Sequence, residues 1–226
     1  MIYKHSDAFN LWPYPCKKID YDAPVEKWEY EKNNMEEIST QLVGRNLWTQ
    51  TSFTKEDVEL LKDILLEVFS RRLPHTFSKL VDILYLQDPN FAHSALIEAA
   101  RQGQQNLLKH TLPVASANNC ISEMIVSSLV GNHISTAVWL VEQSGQKFGM
   151  SQTDLYDLSK KSQIQRQKIF NICLQHGDVD HIFNNIENLK FDGVRSKLMG
   201  DWNAAKEMYL QNQREKPLAV RMTRKM

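Results

Sequence analysis

Ser94-Ala-Leu-Ile-Glu-Ala-Ala-Arg-Gln-Gly103 and Ser122-Glu-Met-Ile-Val-Ser-Ser-Leu-Val-Gly131 are two versions of one pattern. Each is a short helical run with small residues in its middle, Ala99-Ala100 in the first and Ser127-Ser128 in the second, that meets a glycine-centred turn. An apolar second run follows each copy: Leu107 and Leu108 after the first, and Val138, Leu140 and Val141, closed by Gly145, after the second. A weaker third copy runs from Asp154 through Leu158-Ser-Lys-Lys-Ser-Gln163 to Ile169-Phe-Asn-Ile-Cys-Leu-Gln-His-Gly177. Small residues let neighbouring helices approach, and glycine turns the chain where a Cβ is strained. The expected unit is a helical hairpin.

The same unit is expected upstream. Thr54-Lys-Glu-Asp57 reads as a capping box. Val58, Leu61, Leu65 and Val68 then recur at helical spacing, with Leu60, Ile64 and Phe69 widening the stripe. Leu73-Pro74 stops that helix, and a second is expected over 77–86 with Leu80, Ile83 and Leu84 inward. Asp88-Pro89 supplies a stop, a cap and a first-turn proline for the next helix. Ser151-Gln-Thr-Asp154 is a further capping box, and Gly177 closes the last hairpin. Four helix pairs in succession predict an all-α fold, a short α-solenoid of antiparallel pairs.

The doubled stretch resembles ankyrin repeats. Leu96, Ala99, Ala100, Arg101 and Gly103 match that family's pattern, while Ala95 and Ile97 replace its proline and histidine. Met124, Ser127, Ser128 and Gly131 take the equivalent places in the second copy, and Val138-Trp-Leu-Val-Glu-Gln-Ser-Gly145 looks like the family's closing helix. Leu174-Gln-His-Gly-Asp-Val-Asp180 is similar to its ending in the third. Equivalent glycines lie about 28 to 32 residues apart against about 33 in the family, so shortened or missing β-hairpin fingers are expected. The resemblance implies a repeat array that binds other proteins through the inter-pair turns and first helices.

The flanks differ in character. Residues 1–50 form an aromatic and proline-rich arm, with Trp12-Pro-Tyr-Pro-Cys16, Tyr21, Pro24, Trp28 and Tyr30. Proline removes backbone donors and favours extended neighbours, so 11–24 is expected to be irregular. Residues 51–183 make the array and 184–213 capping helices. Within the cap, Gly200-Asp-Trp-Asn-Ala-Ala-Lys-Glu-Met-Tyr209 has the spacing of a tetratricopeptide-type second helix. Residues 214–226 read as a basic, flexible tail carrying Lys216, Arg221, Arg224 and Lys225.

Composition excludes several classes. Twenty-seven basic residues balance 27 acidic ones, so no overall field draws the chain to nucleic acid or anionic lipid. The three cysteines, Cys16, Cys120 and Cys173, are odd in number and scattered, which fits a reducing, cytoplasmic compartment better than a disulfide scaffold. The N-terminus lacks the apolar run of a signal peptide. The most apolar stretch, 121–141, is broken by Ser127, Ser128, Gly131, Asn132 and His133, so membrane insertion is not expected.

Chemical signatures are sparse. Cys173-x2-His176-x4-His181, with Asp178 and Asp180 nearby, offers zinc-ligand types but no second pair to complete a tetrahedron. Cys120 with His133 or His110 as base has no glycine-rich oxyanion turn beside it. Gly145-Gln-Lys-Phe-Gly149 lacks the ending of a phosphate loop. The expected function is therefore non-enzymatic: a protein–protein interaction module, adaptor or scaffold subunit, or a bacterial protein delivered to a host. Alternatives are an inhibitor or chaperone gripping one target through the aromatic arm, or a small Cys-dependent enzyme. The expected binding residues are Trp12, Tyr14 and Trp28 on the arm, and Gln102, Gln104, Asn132, His133, Gln163 and Gln165 at the turns. The expected partners are proteins, with no cofactor, metal, nucleic acid or small-molecule substrate.

Overall fold

The computed structural model describes residues 53–223, with side chains to 214. Those residues are all-helical. They form α1 (Lys55–Arg71), α2 (Pro74–Gln87), α3 (Pro89–Arg101), α4 (Gln105–Ala117), α5 (Ile121–Val130), α6 (Ile134–Ser144), α7 (Gln152–Ser159), α8 (Gln163–His176), α9 (Val179–Glu187) and α10 (Asp192–Thr223). The chain divides into two compact units, one of residues 53–99 with 104–118 and the other of 100–103 with 119–223.

Local chemistry sets most of the helix starts. Thr54, Ser151 and Ser162 each close a capping box, with Asp57, Asp154 and Gln165 reaching back to the cap backbone. Asp178 caps α9 through the His181 N–H at 3.1 Å. Asp88 accepts from the Phe91 N–H at 3.1 Å at the start of α3 and also pairs with Lys62 of α1 at 2.8 Å. Burial alone would raise the Asp88 carboxyl pKa; the Lys62 hydrogen bond and the backbone donors outweigh it and hold the group below its usual range.

Three hairpin turns share one geometry. After α1 the Arg72 N–H bonds Phe69 O and the Leu73 N–H bonds Val68 O; after α3 the Gly103 and Gln104 N–H groups bond Ala100 O and Ala99 O; after α5 those of Asn132 and His133 bond Leu129 O and Ser128 O. This is the Schellman pattern, and its left-handed residue is Arg72, Gly103 or Asn132, at φ of 57°, 67° and 68°. The turn after α5 is thus centred on Asn132, one residue later than the glycine match implied, and Gly131 sits at φ −67°. Three like turns spaced by about 30 residues are a structural repeat.

In the first unit α2 packs on α1 and on α4. Leu61, Leu65 and Phe69 of α1 meet Phe77, Leu80 and Leu84 of α2 in a sealed core, with the Phe69 and Phe77 rings 5.9 Å apart. Ala92, Ala95, Leu96 and Ala99 of α3 are also buried. Pro113 lies inside α4 and leaves the Lys109 carbonyl without its helical donor. One residue on, the His110 carbonyl accepts from Ser78 Oγ of α2 at 2.8 Å.

In the second unit α8 packs chiefly on α10, and α7 packs on α5, α9 and α10. Trp202 of α10 stands edge-on to Phe170 of α8, with centroids 5.2 Å apart and planes at 84°. Beside them Arg166 Nε of α8 donates to Asp201 Oδ2 of α10 at 2.5 Å, both side chains being about 95% buried. The Arg166 guanidinium also donates to the Lys161 carbonyl, and Lys197 Nζ donates to Ser159 O at 2.7 Å. These two cations cap the end of α7, whose turn lacks a left-handed residue. Both α9 and α10 pack on the other helices of this unit. The backbone of the segment expected as a tail, 214–226, is helical as far as Thr223.

A buried ion pair loses most when one partner is removed, because the other charge is left desolvated. Urea unfolding of Arg166→Ala or Asp201→Ala should show a loss of about 3–5 kcal/mol, whereas the double change Arg166→Met with Asp201→Leu should recover most of it.

Candidate functional site

The turns that carry the expected binding residues come together in the second unit. Ser128 Oγ donates to Ala100 O at 3.0 Å and to Met124 O at 2.9 Å. Thr136 Oγ1 reaches Gly103 O at 3.5 Å. Gly131 lies so close to the α3–α4 turn that a Cβ there would stand 2.0 Å from the Arg101 carbonyl oxygen. The His133 ring covers Gly103, where a Cβ would sit 2.4 Å from its Cγ and Nδ1. Burial first, then the charge of Lys161 in the α7–α8 turn, lower the His133 pKa. Residues 100–103, 131–133 and Lys161 thus form one neighbourhood.

The individual residues fare differently within it. Asn132 is exposed, Gln102 and His133 are half-buried, and Gln163 is exposed at the start of α8. Gln104 is only 8% exposed. Gln165 Oε1 accepts from the Ser162 N–H and hydroxyl at 3.2 and 3.1 Å, so its amide serves the helix cap. Trp12, Tyr14 and Trp28 lie outside the described residues.

Three exposed apolar side chains of this unit were not among the expected binding residues. Tyr156 of α7 and Phe191 before α10 are 42% and 64% exposed with ring centroids 5.9 Å apart, and Ile164 of α8 is 67% exposed. Lys160 Nζ lies over the Tyr156 ring at 4.7 Å while pairing with Asp157. The juxtaposition of Tyr156 and Phe191 follows from the packing of α7 against α9 and α10.

The two thiols of the second unit are buried. Cys173 Sγ is buried 3.8 Å from Met150 Sδ, and burial pushes its pKa up to about 12. Cys120 is buried against Met124 at the same separation of 3.8 Å. The His181 ring lies against Gly149 and within 3.0 Å of Asn185 Nδ2, which donates to Met150 O at 2.8 Å. Among the described residues no three of His, Cys, Asp or Glu gather as a metal group, and no helix is long and apolar enough to cross a membrane. No protein-family model, curated protein or solved structure matches the chain.

The glycines divide by cause. Gly131→Ala drives a methyl into a backbone carbonyl and should destabilise by about 3 kcal/mol or more. Gly103→Ala meets both a left-handed φ and the His133 ring, for about 2 kcal/mol. Gly145 has the same kind of φ, 64°, but open space, so Gly145→Ala should cost about 1 kcal/mol. Denaturant titration of the three variants checks the order. For the thiols, iodoacetamide at pH 8 should leave Cys120 and Cys173 unmodified in the native protein and alkylate both in denaturant, read by peptide mass mapping.

Proposed function

We propose that the chain is a non-enzymatic protein–protein interaction module, an adaptor or scaffold subunit built as a short ankyrin-like array of helical hairpins. The observation that carries this reading is the exposed aromatic pair Tyr156–Phe191, flanked by Lys160. Exposed rings with a polar surround are what protein interfaces use as anchors. The recurrence of one turn geometry at Arg72, Gly103 and Asn132 favours a repeat architecture, in which hairpins stack and their turns present polar side chains to a partner. Asn132 and Gln163 are the exposed polar candidates among the expected binding residues. The scattered cysteines, two of them buried and free, favour a reducing, cytoplasmic setting. Thiol catalysis is disfavoured, because a nucleophile needs an accessible thiolate and burial holds Cys173 far above that condition.

The test is a paired affinity capture from the native cell's lysate, using the full chain and the double variant Tyr156→Ser with Phe191→Ser, quantified by mass spectrometry. A stoichiometric protein partner should be recovered with the wild type and lost with the variant, whose unfolding midpoint should stay unchanged. Equal recovery by both baits would move the contact elsewhere, and a 36–226 truncation would then test the aromatic arm.

A further inference from the structure

In the first unit two imidazoles meet across a helix pair. His75 sits in the first turn of α2 and His110 in the middle of α4, and their ring centroids are 4.2 Å apart with planes at 55°. Both residues are exposed. Their pairing is held by the backbone: Ser78, one turn after His75, donates to the His110 carbonyl, and α4 is a principal packing partner of α2.

We propose that His75 and His110 form a two-histidine site for a divalent transition-metal ion of borderline character, Zn2+, Ni2+ or Cu2+, that bridges α2 and α4. The ion class follows from the donors. Imidazole nitrogen suits these ions, whereas Mg2+ and Ca2+ take oxygen donors. Two protein ligands leave the remaining positions to water. Lys109 follows in sequence immediately before His110, and Lys79 lies one turn after His75 on α2, so nearby positive charge opposes the ion. The affinity is accordingly weaker than that of a four-ligand structural zinc site. Because the site requires α2 and α4 to be packed together, an ion bound there stabilises the folded chain.

The experiment is thermal unfolding of the full chain with Zn2+, Ni2+, Cu2+, Mg2+ or Ca2+, for the wild type, His75→Gln, His110→Gln and, as a control, His176→Gln. The transition metals should raise the midpoint of the wild type and of the control by several degrees, Mg2+ and Ca2+ should not, and either His75→Gln or His110→Gln should abolish the rise. No rise in the wild type, or a rise that persists in His75→Gln or His110→Gln, overturns the site. Electron paramagnetic resonance of one equivalent of Cu2+ on the unmodified chain gives an independent reading. Coupling to two imidazole nitrogens is expected, and a spectrum with fewer refutes the bridge.

Discussion

The turn neighbourhood of the second unit rests on one close approach of backbone to backbone, between residue 131 and the Arg101 carbonyl. A Cβ at 131 would lie 2.0 Å from that oxygen, so only glycine lets the α5–α6 turn come down on residues 100–103. The polar contacts there follow from the approach: Ser128 Oγ reaches Ala100 O, Thr136 reaches Gly103 O, and the His133 ring lies flat over the bare Gly103. Each of these contacts is worth about 1 kcal/mol. Their collective effect is to bring Asn132, His133, Gln102 and Lys161 into one neighbourhood instead of leaving each on its own loop.

The end of α7 reaches a comparable result by different means. Its turn into α8 has no left-handed residue; the last helical carbonyl, of Ser159, accepts from Lys197 Nζ, and the Lys161 carbonyl in the turn accepts from the Arg166 guanidinium. Arg166 can be buried there because Asp201 neutralises it. One arginine thereby joins two tasks: it closes a turn and pairs α8 with α10. Trp202, the residue after Asp201, adds the apolar half of the same joint by packing on Phe170. The C-terminal helices therefore help build the core that positions the exposed aromatic pair.

How much of this was legible beforehand depended on the range of each interaction. The capping boxes at Thr54 and Ser151, the stop at Leu73-Pro74 and the apolar stripe through Leu61, Leu65 and Val68 involve residues three or four apart, so the sequence displays cause and effect together. The doubled pattern around Ala99-Ala100 and Ser127-Ser128 was equally visible, and those positions are buried or half-buried in the fold. The register of the second turn was offset by one, because Asn tolerates the left-handed region almost as well as glycine and Gly131 was committed to a different constraint. Gln104 and Gln165 read as free polar side chains, yet one is buried and the other is drawn into a cap by its own helix start.

The sequence by itself determined that residues 53–223 are helical, where many of those helices begin and end, and a hairpin rhythm of about 30 residues. It did so because helix periodicity and capping are local and each is encoded within one or two turns. Only the tertiary structure decided that Arg166 meets Asp201, that Lys197 caps Ser159, that Tyr156 finds Phe191, and that His75 lies against His110. Those partners are some 35 residues apart, and which one a side chain meets depends on how helices cross and rotate. A helical sequence narrows that choice to a face. The packing of helices within each unit, summed over many weak contacts, selects the neighbour.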